Sequence, residues 1–165
     1  MKTLFLLRHA KSSWGDAGQP DFARPLNERG QKAAPLMGRF MRRENLQPDL
    51  VLSSPATRAR ETITLVAAAG KFLCEVRYDE RIYAASLARL LEIVTQLEES
   101  TGAILLVGHN PGMEELVLHL TGEQQHMPTA ALACITLNIE KWSKARAEGS
   151  GQLERLIRPK ELTDL

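Results

Sequence analysis

The stretch Thr3-Leu4-Phe5-Leu6-Leu7-Arg8-His9-Ala10 decides how the rest of the chain is read. Four consecutive large apolar residues stop abruptly at an arginine and a histidine. Such a run, flanked by polar residues, predicts a buried strand of a parallel sheet. In open α/β sheets ligands bind beyond the carboxyl ends of the strands, and Arg8 and His9 lie at that end. A guanidinium offers a planar fork for phosphate, and an imidazole is readily poised as nucleophile or base near neutral pH.

The same logic recurs further along. Gly102-Ala103-Ile104-Leu105-Leu106-Val107-Gly108 is a second continuous apolar strand and ends in His109. Asp49-Leu50-Val51-Leu52-Ser53-Ser54 is a third, and Arg58 follows it within the first turn of a predicted helix. Ser54-Pro55 and Asn110-Pro111 each read as an N-cap followed by proline at the first helical position. Asn27 should cap a helix whose apolar face is Ala33, Leu36, Met37, Phe40 and Met41, kinked or ragged at Pro35 and ending before Pro48. Further helices are expected from Pro55 to about Ala69 with Gly70 as its stop, from Leu87 to about Glu98 behind a Ser86 cap, and from Pro111 to Leu120 with Gly122 as its stop. A weaker strand is expected over Phe72 to Tyr78, and final strands near Ala131 to Ile139 and Gln152 to Ile157. A polar, disorder-prone loop around Ala145 to Gly151 should separate the last two. Alternating strands and helices of these lengths predict an α/β fold, a three-layer α/β/α sandwich around a mostly parallel sheet.

Composition narrows the function classes. The 165 residues suit one domain, residues 1–165, and the net charge of +1 favours neither nucleic acid nor a membrane as partner. No apolar run approaches the roughly 18 residues of a membrane span. The two cysteines, Cys74 and Cys134, are isolated in apolar contexts and read as core thiols, which fits a reducing cytoplasm. Trp14 lies in the Gly/Ser/Pro-rich loop after His9, where packing under the loop is the expected role and lining a pocket the alternative.

Arg8, His9, Arg58 and His109 thus converge on one sheet edge without a carboxylate cluster or a Cys/His set, so neither a metal nor another cofactor is expected. Two arginines and two histidines suit a tetrahedral dianion, and the target is a phosphoryl group. Neighbouring arginine charge should keep His9 neutral, one ring nitrogen attacking phosphorus while a backbone carbonyl holds the other. Arg24 and Ser12 are candidates for substrate contact, with a solvated role as the alternative.

These motifs resemble the histidine phosphatase superfamily, the phosphoglycerate-mutase-like proteins. Arg8-His9-Ala10 resembles the family's Arg-His-Gly signature, Ser54 to Thr62 its second arginine motif, and Gly108-His109-Asn110-Pro111 its second histidine motif. The Arg8-His9-Ala10-Lys11-Ser12 opening, Arg24-Pro25-Leu26 and Arg158-Pro159-Lys160 are similar to the small SixA-type phosphohistidine phosphatases. The resemblance implies a phosphoglycerate-mutase-like fold without a large cap domain. It implies His9 as phosphoryl acceptor, with Arg8, Arg58 and His109 completing the phosphate pocket. Glu80 occupies a position similar to the acid of larger relatives; a local salt bridge with Arg81 or Arg77 is its other reading. The expected activity is that of a metal-independent phosphatase, with phosphohistidine on a protein as substrate. Small phosphomonoesters such as sugar phosphates are the alternative substrates, and a phosphate-recognising binding module without turnover is the alternative class.

Overall fold

The computed structural model describes residues 1–14 and 17–162. Its centre is a six-stranded sheet in the order β3-β2-β4-β1-β5-β6, formed by β1 (Lys2–Arg8), β2 (Leu50–Ser53), β3 (Glu75–Tyr78), β4 (Ala103–Gly108), β5 (Leu132–Leu137) and β6 (Gly151–Ile157). The first four strands in that order pair in parallel, and β5 pairs antiparallel with both β1 and β6. The mostly parallel sheet read from the apolar runs is therefore present.

Period-two alternation within β1 divides the core into two layers. Leu4 and Leu6 face one side, with Ile104 and Leu106 of β4, against α3 (Leu87–Thr95) and α4 (Gly112–Thr121). Phe5 and Leu7 face the other, with Leu105 and Val107, against α1 (Glu28–Arg43) and α2 (Thr57–Gly70). Leu4, Leu6 and Leu7 are fully buried; each such side chain contributes about 1.5–3 kcal/mol relative to exposure. Gly38 lets α1 and α2 cross closely, since a Cβ there would lie 2.4 Å from the Val66 carbonyl oxygen. No helix among the described residues is long and apolar enough to cross a membrane.

Helix α1 ends at Arg43, before Pro48, with Pro35 inside it; the carbonyl that Pro35 leaves without a donor belongs to Gln31, a residue on the exposed face. Several other local expectations are corrected. Helix α2 starts at Thr57 behind Ala56, and α4 at Gly112 behind Pro111, so neither Ser54 nor Asn110 is an N-cap. Ser54 instead closes a tight serine turn, accepting from the Ala56 N–H at 3.2 Å. The Asn110–Pro111 peptide is cis, and the Asn110 amide donates to Glu114 and to the Met127 carbonyl. Strand β3 begins only at Glu75, and α3 ends at Thr95. The Ala145–Gly151 loop is tied down, with Ala145 fully buried, the Gly149 N–H donating to the His119 carbonyl, and the His119 ring to the Arg146 carbonyl. Asn27 and Ser86 do cap α1 and α3, and Gly122 ends α4 in the left-handed conformation, whereas α2 includes Gly70 and it is Lys71 that takes the left-handed position at its end.

Candidate active site

Strand register brings the three motifs together. Arg8 pairs with Gly108 across the parallel β1–β4 ladder, so His9 and His109 are the next residues on adjacent strands. Ser53 pairs with Val107, which places Ser54 beside them at the same edge. The His9 and His109 ring centroids are 5.1 Å apart at an interplanar angle of 51°. Arg58 enters from the first turn of α2, with its Nε 3.4 Å from His9 Nε2.

Each histidine is anchored at one nitrogen. The Ala10 carbonyl lies 2.8 Å from His9 Nδ1. A carbonyl only accepts, so Nδ1 carries the proton and Nε2 presents its lone pair. The Ala10 N–H in turn donates to Thr62 Oγ1 at 2.9 Å, which holds this turn against α2. Gly30 opens space on the other side, since a Cβ there would lie 2.2 Å from the Lys11 carbonyl oxygen. His109 Nε2 lies 2.7 Å from Ser54 Oγ, while its Nδ1 is buried without a partner.

The cations are held from behind. Arg8 donates from Nη1 to the Met127 carbonyl at 3.0 Å. Arg58 donates from Nη1 to the Asp21 carbonyl at 2.8 Å and from Nη2 to Asp21 Oδ2 at 3.1 Å. Asp21 Oδ1 also accepts from Arg24, and Oδ2 from the Tyr83 hydroxyl at 2.5 Å. Arg24 donates further to Ser12 Oγ at 2.8 Å and stacks on the Trp14 ring, with its guanidinium carbon 3.6 Å from the ring centroid. These groups line a cleft of about 200 Å³ that includes Arg8, His9, Ser12, Trp14, Arg24, Arg58, His109 and Asn110. A larger hollow of about 450 Å³, lined by Glu44, Gln47, Cys134 and Arg155 among others, contains no histidine.

Burial governs the electrostatics. It pushes His9 down from 6.5 to about 3, with His109, Arg58 and Arg8 adding smaller effects in the same direction, opposed by the bond to Ala10. His109 falls to about 4, again chiefly through burial and then through Arg58. Arginine charge was expected to keep His9 neutral; desolvation is the larger cause. The Tyr83 hydroxyl, followed by Arg24 and Arg58, holds the Asp21 carboxylate down at about 2. Arg8 is lowered by burial and by Arg58, against the raising influence of Glu114.

The structure thus gathers Arg8, His9, Arg58, His109, Arg24 and Ser12. Glu80 is not among them. It is exposed, lines a separate depression with Arg81, Tyr83, Ser86 and Arg89, and pairs with neither Arg81 nor Arg77. Those arginines bind Asp79, and Glu75 with Glu98, instead. Trp14 does not pack under its loop; it is 76% exposed at the cleft. Asp21, Ser54 and Tyr83 have contacts here that sequence reasoning did not anticipate. Asp21 and Tyr83 lie in irregular segments with no periodic signal, and Ser54 was legible only as a helix cap. Among the described residues, no three His, Cys, Asp or Glu side chains form a group able to hold a metal.

The comparisons with known proteins agree with this geometry. An uncharacterized chloroplast protein of Arabidopsis thaliana is 31% identical over 96% of this chain and 78% of its own length. The crystal structure of a protein assigned as the phosphohistidine phosphatase SixA of Agrobacterium tumefaciens superposes with a TM-score of 0.83 at 29% identity, covering 96% of this chain and 98% of that one. A protein histidine phosphatase SixA complexed with tungstate shares the fold, with a TM-score of 0.84 at 24% identity over 98% and 99% of the two chains. The sequence profile of the histidine phosphatase superfamily (branch 1) matches residues 4–84, which span β1 with His9 and the helix with Arg58. With strand order, converging motifs and these relatives in agreement, the chain belongs to the histidine phosphatase superfamily.

Proposed function

We propose that this phosphatase works without a metal, through a covalent phosphoryl intermediate on His9, and that its substrate is phosphohistidine on a protein partner. The observation that carries the reading is the pinned His9 ring. Nδ1–H is held by the Ala10 carbonyl, and Nε2 is left neutral beside the Arg58 guanidinium.

In the first step the Nε2 lone pair attacks phosphorus, the Nε2–P bond forms, and the bond from phosphorus to the leaving nitrogen breaks. Positive charge developing on the His9 ring is stabilised by the Nδ1–H bond to Ala10. Arg8, Arg58 and His109 receive the equatorial oxygens, matching the charge spread of an in-line phosphoryl transfer. Water then attacks the phosphoryl group and the P–Nε2 bond breaks, releasing orthophosphate and restoring neutral His9.

The placement of Glu80 supports a nitrogen leaving group. An imidazole carrying a proton departs without a protein acid, whereas an alkoxide gains roughly 10²–10⁴-fold from one, and Glu80 lies outside the cleft lining. The likeness to the Agrobacterium protein supports the same substrate class. The test is phosphate release measured side by side from a phosphohistidine protein, sugar phosphates and an aryl phosphate. Phosphohistidine should give the highest kcat/KM. A clear preference for sugar phosphates would replace this substrate assignment with a small-molecule one.

A further inference from the structure

We infer that Ser54 is a positioning residue that fixes His109 as its Nδ1–H tautomer and so makes Nδ1 a donor for the substrate phosphoryl group. This rests on the proposed binding of a phosphoryl group between His9 and His109.

Ser54 is 0% exposed, and its backbone is fixed at the end of β2 by the Ser54 N–H bond to the Val107 carbonyl at 2.9 Å. Its Oγ has two contacts, the Ala56 N–H at 3.2 Å and His109 Nε2 at 2.7 Å. The Ala56 N–H can only donate, so it occupies one lone pair of Oγ. The hydroxyl proton then has one available acceptor, His109 Nε2. Were Nε2 the protonated nitrogen, Oγ would accept twice and leave its own proton unpaired on a fully buried residue. An unsatisfied buried donor costs about 1–3 kcal/mol. Donation from Ser54 to Nε2 avoids that cost and places the ring proton on Nδ1.

The second observation is at Nδ1 itself. His109 is 8% exposed, its pKa is pushed down to about 4, and Nδ1 has no partner in the protein. A neutral ring has one N–H, and in this tautomer it is the unpartnered one. The donor is complete only when a ligand oxygen reaches it. In the opposite tautomer Nδ1 would present a lone pair to phosphoryl oxygens and repel them. Ser54 therefore acts through His109 and does not itself touch the substrate.

The experiment is nitrogen-15 NMR of the histidine rings near pH 7, with tungstate as the probe. In the wild type, His109 should show a protonated Nδ1 and a bare Nε2, and tungstate should shift the Nδ1 resonance. Ser54→Ala should shift His109 toward the Nε2–H form and lower kcat/KM by about 10–100-fold, the range seen when a group that orients a functional histidine is removed. Ser54→Thr, which keeps the hydroxyl, should restore both tautomer and activity. A wild-type His109 protonated at Nε2 overturns the inference without any variant. So does a folded Ser54→Ala protein with unchanged tautomer and unchanged kcat/KM. Absence of phosphoryl transfer to His9, with the Ser54-dependent tautomer and the tungstate shift intact, would remove the proposed reaction and leave the Ser54–His109 assignment standing.

Discussion

Arg58 Nε and His9 Nε2 face each other at 3.4 Å, although they lie 49 positions apart in the chain. The guanidinium can only donate, so the nitrogen opposite it is the one bearing a lone pair. The contact is long for a hydrogen bond, and a phosphoryl group attached at Nε2 would meet Arg58 directly. Rapid quenching with substrate should therefore trap an acid-labile phosphoryl group on His9. His9→Ala should lose it, with kcat falling by about 10⁴-fold or more, as when a covalent nucleophile is removed. Full turnover by that variant would exclude the mechanism.

Stability should weaken on mild acidification. His9 and His109 are held neutral in the folded protein down to about 3 and about 4, against 6.5 for a free imidazole. As pH drops below 6.5 the unfolded chain binds protons that the folded chain does not, so folding stability falls. The urea midpoint should be lower at pH 4.5 than at pH 7, and the difference should shrink in a folded His109→Gln variant. An unchanged midpoint across that interval would show that these rings titrate normally.

Chelation should leave catalysis untouched. Among the described residues no group of His, Cys, Asp or Glu is suited to a metal, and the cleft is lined by cations. Exhaustive dialysis against a chelator should keep kcat/KM constant. A large loss restored by a divalent cation would contradict the proposed chemistry.

Trp14 offers a handle on substrate recognition. Its exposed ring stacks on Arg24 at the cleft, whereas Trp142 is fully buried. Substrate should change the fluorescence of Trp14 and leave that of Trp142 constant. Trp14→Ala removes the cation–π contact and a face for the leaving ring, together about 0.5–2 kcal/mol. We expect KM for a phosphohistidine peptide to rise by about 2–30-fold, with a smaller effect on acetyl phosphate. Equal effects on both substrates would assign Trp14 to the loop alone.

Glu80→Gln should change kcat/KM on phosphohistidine by less than about twofold, because a leaving imidazole needs little acid assistance. Large loss on alkyl phosphates, with those the better substrates, would make Glu80 a catalytic acid reached by movement of its segment.

The sequence by itself determined the frame. Apolar runs ending at Arg8-His9, Ser53-Ser54 and Gly108-His109 specify buried parallel strands, because residues at this density must be covered on both faces. Parallel strands deliver their carboxyl ends to one edge, so the convergence of His9, His109 and Arg58 was legible before any coordinate. What the sequence could not decide were contacts set by irregular backbone. Ser54-Pro55 and Asn110-Pro111 have the composition of helix starts, yet α2 begins only at Thr57 and α4 only at Gly112. Their side chains are drawn to long-range partners, His109 for Ser54 and the Met127 carbonyl for Asn110, rather than to the backbone N–H groups of the first helical turn. The hold of Asp21 on Arg24, Arg58 and Tyr83 likewise depends on how a loop folds over the sheet edge. Local spacing carries strand and helix periods; the tautomers of His9 and His109 depend on the atoms the tertiary fold places beside them, and only that fold decided which nitrogen is free.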